Sequence, residues 1–258
     1  NIWLVKMIDE EDREHSKRSQ SEKNDMEKIR DFHKFHIDKW GNSWNQNSLV
    51  TIQRQTLSRV LYYNMLYQKI VGVPGCILEF GVQWGSTLSQ LIALRGIYEP
   101  YNHLRHIYGF DTFEGFLRTS KTHDGTHVRD NDYSVYPGYE ENLEKILQIH
   151  ENNCPLSHIK KFSLIKGDAS KTSLSWIKDN PQAVVAMAIF DMDIYQPTKD
   201  ALTAILPRLT KGSLLVFDEL NCPVFPGETE AVMEVLGLNN IKLEHYSHAP
   251  NCAWAVWN

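Results

Sequence analysis

The sequence predicts an α/β fold on a mainly parallel sheet with helices packed on both faces. From residue 76 onward, short apolar runs of strand length alternate with stretches of helical period. Several of those runs stop abruptly on a carboxylate or a glycine, the habit of strands whose carboxyl ends face a ligand crevice. At 258 residues the chain can bury a substantial core, as one large domain or as a domain with an appendage.

Taken in order, residues 9–39 are charged, with Met26, Ile29, Phe32 and Phe35 at roughly helical spacing. They read as one or two amphipathic helices packed on something else. "SLVTIQRQTLSRVLYYNMLYQKIV" is a stronger helix, broken by Gly72, Pro74 and Gly75. These parts form an N-terminal helical extension over residues 1–73, ahead of the main domain at 74–258. Strands are expected at 76–80, 106–110, 162–166, 184–190 and 213–217. Helices are expected at 86–97, 140–151, 170–178, 198–209 and 228–236. The tail, "IKLEHYSH" and "CAWAVWN", reads as two late strands making an antiparallel end to the sheet. Residues 117–138 are polar and aperiodic, an insertion of the kind that forms a lid or acceptor-binding loop.

Bulk chemistry narrows the partners. A net charge of -5 supplies no basic field, which argues against nucleic acid or an anionic membrane as the main partner. No apolar run approaches the roughly 20 residues that span a bilayer. Cys76, Cys154, Cys222 and Cys252 are scattered without a C-x-x-C pair and read as reduced thiols in a cytoplasmic protein. The first residue is Asn rather than Met, which reads as a trimmed start, and the N-terminus lacks the pattern of a secretory signal.

The chemistry gathers at the strand ends. "CILEFGVQWGSTL" is a strand, a glycine turn and a helix start, in which Gly81 and Gly85 permit a tight turn and close approach to a ligand. Ser86 or Thr87 is placed to cap the helix. The G-x-x-x-G spacing is neither a dinucleotide fingerprint nor a P-loop. Glu79 can pair with a cation, Asp111 can accept from a ribose diol, and Asp168 can accept from an exocyclic amine. "AIFDMD" sets out Asp191 and Asp193, and "LLVFDEL" sets out Asp218 and Glu219. Taken singly, Asp191 and Asp193 also read as caps for the helix near Pro197. Asp193 ranks second to Asp191 as a site residue.

These residues carry a resemblance. "EFGVQWGSTL", "YGFDTFEGF", "LIKGDASKT", "FDMDIYQPTKDALTAILPRLTKGSLLVFDEL" and "FPGETEAV" together resemble the macrocin O-methyltransferase family, over roughly residue 74 to the C-terminus. The resemblance implies a Rossmann-like class I methyltransferase fold with a seven-stranded sheet, S-adenosylmethionine as methyl donor and a Mg²⁺ ion. It also implies a sugar hydroxyl as acceptor, and a homo-oligomer in which the N-terminal segment covers a neighbour's site. Carried over by motif, Glu79, Gly81 and Gly85 would line the donor, Asp111 would hold its ribose, and Asp168 with Ala169 would meet the adenine. Asp191, Asp218 and Glu219 would hold the metal, with Glu219 standing where sugar-methylating members usually carry a second Asp.

Methyl transfer from a sulfonium is an in-line displacement, so the protein must align donor and oxygen and accept a proton, a task assigned here to Asp191. Hard divalent ions take carboxylate oxygens, which is why the three acids fit that expectation. His123, His127, His245 and His248 are alternative bases, or simply solvated or structural histidines. Trp84, Tyr133, Tyr136 and Tyr195 can stack on a sugar or adenine, or fill the core. Competing functions are methyl transfer to a catechol-like or other diol, a nicotinamide-dependent oxidoreductase, and a domain that has kept the fold without activity.

Overall fold

The computed structural model describes residues 18–258. The first part of the expected amphipathic region, residues 9–17, lies outside the described residues. Strands β1 (Cys76–Phe80), β2 (Ile107–Asp111), β3 (Phe162–Lys166), β4 (Val185–Phe190) and β5 (Leu209–Phe217) pair in parallel. They are completed by β6 (Leu243–Tyr246) and β7 (Ala249–Val256), with β7 antiparallel to both β5 and β6. The order is β3-β2-β1-β4-β5-β7-β6. The order in which strands are added reverses between β1 and β4, which opens a crevice above their carboxyl ends.

Strand alternation divides the core. Ile77, Ile107, Met187, Ile189, Leu214 and Val216 face one side, under α3 (Arg54–Ile70), α4 (Ser86–Tyr98) and α5 (Tyr139–Asn152). Leu78, Phe80, Phe110, Ala188, Phe190 and Phe217 face the other, under α6 (Ala169–Asp179), α7 (Tyr195–Ile205) and α8 (Pro226–Val235). Period two in the strands thus sends each run into two separate cores. Helix α3 belongs to the first of them by packing: Tyr62, Tyr63, Leu66, Tyr67 and Ile70 are fully buried there. Each such side chain contributes on the order of 1.5–3 kcal/mol of apolar burial.

Helix α1 (Gln20–His36) starts at a capping box, in which Ser19 Oγ accepts from the Glu22 amide and the Glu22 carboxylate accepts from the Ser19 amide. Its apolar stripe is not packed as expected. No residue of α1 is buried, and Phe32 and Phe35 stay 59% and 64% exposed. A single turn, α2 (Trp44–Asn47), flanked by 3₁₀ turns, leads into α3. Among the described residues no helix is long and apolar enough to cross a membrane.

One helix boundary shifts for a physical reason. Helix α7 begins at Tyr195, three residues before its expected start, because Pro197 is tolerated in a first turn that needs no amide donor there. Its N-cap position is Ile194, whose side chain makes no capping bond. The Tyr195 amide donates instead to Asp124 Oδ1 at 2.6 Å, from the polar insertion. That insertion has no regular element yet is not loose: Phe116 and Val128 form a small third core with Ile194, Cys222 and Phe225.

Candidate functional site

The site starts from the β1–β4 switch. The ladder continues past the strand ends, with the Gly81 amide on Phe110 O, the Asp191 amide on Phe80 O and the Asp218 amide on Phe190 O. Gly81 has φ of +95°, and a Cβ there would lie 1.8 Å from the Asp191 carbonyl oxygen. Its missing side chain therefore admits the chain that carries Asp191. This backbone contact, rather than approach to a ligand alone, requires the glycine.

A cavity of about 400 Å³ opens over these strand ends, large enough for a nucleoside-sized ligand. Glu79, Gly81, Ser86, Thr87, Asp111, Asp168, Ala169 and Asp191 all line it. Gly85 does not. It is the left-handed N-cap of α4, and a Cβ there would meet the Leu143 side chain at 2.4 Å. Ser86 and Thr87 are consequently the first residues of α4 and not its caps, so they bring the positive end of a helix to the cavity wall.

At one end of the cavity the acids are tied to nearby backbone. Asp111 Oδ2 accepts from the amides of Val82 and Gln83 at 2.7 and 2.8 Å, and Oδ1 accepts from Phe113 at 2.5 Å. It therefore shapes the glycine turn while remaining on the cavity wall. Burial raises its pKa, and those three amides oppose the rise. Asp168 caps α6 through the Ser170 amide, and its other oxygen binds Arg118 from the insertion. Between the two ends sits Glu79, buried, with Oε2 unpartnered. Burial pushes its pKa well above the usual carboxylate range, and the charge of Asp191 adds to this. An orphaned carboxyl oxygen on the wall fits a ligand with a cationic or N–H group.

At the other end a cation from α3 enters. Arg59 donates to Asp218 Oδ1 at 2.6 Å and to Asp191 Oδ2 at 3.0 Å. A third donation, at 3.2 Å, goes to the hydroxyl of Tyr63 one turn along α3. Cys252 Sγ lies 3.1 Å from Asp218 Oδ1. Burial is the main reason the Asp191 pKa is pushed up to about 8; Asp218 raises it further and Arg59 opposes. Burial disfavours charge on Arg59 too, yet Tyr63 and the two aspartates outweigh it and hold the guanidinium protonated.

Glu219 is held at the edge of this corner: its carboxylate accepts from Asn251 Nδ2 at 3.2 Å, while its charge still raises the Asp191 pKa. Among the described residues no group of three or more His, Cys, Asp or Glu side chains stands ready to hold a metal. A divalent ion needs several oxygens around a free centre, but here two carboxylates converge on a guanidinium. The donor set as arranged does not fit the expected Mg²⁺ site of Asp191, Asp218 and Glu219.

The four histidines are elsewhere. His123 pairs with Glu230 at 2.6 Å and stacks on Tyr195, and none of the four lines the cavity. Of the four aromatics, Trp84 and Tyr133 line it, while Tyr136 packs beside Trp84. Sequence reasoning missed Arg59. Its signal was there: it lies on the same helix face as Tyr63 and Leu66, so an arginine interrupts an otherwise inward apolar stripe.

Residues 5–244 match the macrocin O-methyltransferase family model. The chain belongs to that family. A crystal structure of CalS11, a calicheamicin methyltransferase, is 36% identical with a TM-score of 0.87, covering 93% of this chain and 94% of that one. The apo structure of CalS11, described as a TDP-rhamnose 3'-O-methyltransferase, is 35% identical with a TM-score of 0.82 over 93% and 96%. A curated relative from Streptomyces olivaceus, 8-demethyl-8-(2,3-dimethoxy-alpha-L-rhamnosyl)-tetracenomycin-C 4'-O-methyltransferase, is 26% identical over 161 residues. That alignment covers 57% of this chain and 54% of the relative, so this chain spans about half that protein's length. The O-methyltransferase NovP, 18% identical with a TM-score of 0.62, shares the fold. Membership in the macrocin O-methyltransferase family removes the nicotinamide reading, which the G-x-x-x-G turn already disfavoured.

Proposed function

We propose that this chain transfers the methyl group of S-adenosylmethionine to a hydroxyl of a rhamnose-type sugar in natural-product biosynthesis. The observation that carries the proposal is one continuous cavity joining the donor-side acids Asp111 and Asp168 to Asp191. The sugar is suggested by the relatives: one acts on TDP-rhamnose and another on a rhamnosylated tetracenomycin.

When bound, S-adenosylmethionine supplies a methyl on a sulfonium centre. Asp168, Ala169 and Asp111 hold the nucleoside end, and Glu79 with the α4 N-terminus takes polar groups near the glycine turn. Asp191 receives the acceptor proton at Oδ1, since Arg59 engages Oδ2. A base whose pKa is about 8 is well matched to a proton leaving near neutral pH. Phe116, Leu117 and Tyr133, from the insertion and its approach, close the wall and exclude water. Residues 117–138 thus act as the acceptor loop. Alignment of the two reacting atoms in such a pocket lowers the barrier by up to about 7–11 kcal/mol.

The same proposal includes self-association through the exposed stripe of α1, where Phe32 and Phe35 have no cover among the described residues. Sedimentation of the wild type against Phe32→Glu/Phe35→Glu tests this, and equal masses rule it out. For the activity, calorimetry with S-adenosylmethionine is the test, followed by mass spectrometry of a TDP-rhamnose reaction. One donor per chain and a product heavier by one methyl group are expected. A folded sample that binds no donor overturns the reading.

A further inference from the structure

We propose that Arg59 is the resident cation of the Asp191–Asp218 pair, taking the place of a divalent ion and positioning Asp191 for the acceptor. The positioning half of this rests on the methyl-transfer reading; the exclusion of metal does not. Two carboxylates at neighbouring strand ends repel each other, and the pair is stable only with a positive charge between them. The structure supplies one from α3, with one guanidinium nitrogen on each carboxylate.

The cation is built in. Its side chain is only 33% exposed, and a third donation to Tyr63 fixes its direction. Tyr63 is itself fully buried in the core beneath α3, so the arginine is aimed by a rigid support. A planar, permanently charged fork suits two carboxylates at once, and no proton loss can release it. The third acid has partners of its own: Glu219 accepts from Asn251, and its amide donates to Glu228 at 2.9 Å. A dication seated between Asp191 and Asp218 would have to expel Arg59.

Arg59 engages Asp191 through Oδ2, which leaves Oδ1 as the oxygen for the acceptor proton.

The test is Mn²⁺ uptake by chelator-treated protein, read by electron paramagnetic resonance, on the wild type, Arg59→Gln and Arg59→Lys. Wild type and Arg59→Lys are expected to leave Mn²⁺ free at concentrations where Arg59→Gln binds one equivalent, at least about ten-fold tighter, because an uncompensated acid pair recruits a cation. Stoichiometric wild-type binding as tight as that of Arg59→Gln overturns the proposal, as does an Arg59→Gln protein that gains no affinity. The wild-type measurement decides even if a variant fails to fold. In parallel, wild-type methyl transfer is expected to be unchanged by chelator. Arg59→Gln is expected to lose kcat about ten-fold or more, with donor affinity unchanged. Chelator-abolished transfer overturns the positioning role. Absent donor binding instead defeats the methyl-transfer reading and leaves the Mn²⁺ result standing.

Discussion

The two ends of the cavity solve one problem, a carboxylate held out of water, in different ways. At the donor end, Asp111 takes only backbone amides, from Phe113 two residues on and from Val82 and Gln83 in the glycine turn, and Asp168 takes the Ser170 amide with Arg118 on its outer oxygen. At the transfer end, Asp191 and Asp218 are neutralised by Arg59, which lies 132 and 159 residues away. Backbone amides are available to any acid at a turn. A compensating side-chain charge has to be delivered by another element, so the second end depends on the packing of α3. Perturbing the transfer end should therefore strike chemistry, and perturbing the donor end should strike binding and local stability.

The sharpest way to break that contrast is Asp191→Asn. Loss of the proton acceptor should cost about 10²–10⁴ in kcat while donor affinity by calorimetry stays within a few-fold. Equal losses in both would mean that the two ends are not separable. Next is Gly81→Ala, since its Cβ would fall on the Asp191 carbonyl. An unfolding free energy lowered by about 3 kcal/mol in urea titration and an inactive protein are expected. An unshifted midpoint would show that the strand ends can part. Asp111→Ala strips three amides of their acceptor. It should destabilise by about 1–3 kcal/mol and weaken donor binding more than it lowers kcat, a split measured by saturation kinetics. The mildest is Asp168→Ala, which removes the α6 cap for about 1 kcal/mol in the same urea assay, with donor affinity falling as well.

Most of the sheet was legible because strand and helix periods are local. β1 and β3 fall where the apolar runs stand, and the two late strands pair antiparallel as their missing helix implies. Pro197 obscured the start of α7, because its cap, Asp124, comes from a loop whose path no period encodes. Gly85 has a steric need that the turn motif does not reveal, since a Cβ there would meet Leu143 on α5. The α1 stripe is correct as a pattern, but Phe32 and Phe35 remain uncovered by the described chain. Of the candidate site, the donor-side acids were readable one by one, since each follows its own strand.

By itself the sequence determined the strand and helix alternation, the acids at the strand ends and the membership those motifs signal. Those are properties of runs of ten residues or so, set by side-chain period and turn chemistry. Only the tertiary structure decided what the acids do. Whether Asp191, Asp218 and Glu219 converge on a free centre, or Arg59 stands between two of them while the third faces Asn251, depends on where α3 packs and which way each side chain turns. Charge compensation acts through space at a few ångströms, and distance along the chain carries almost no information about it.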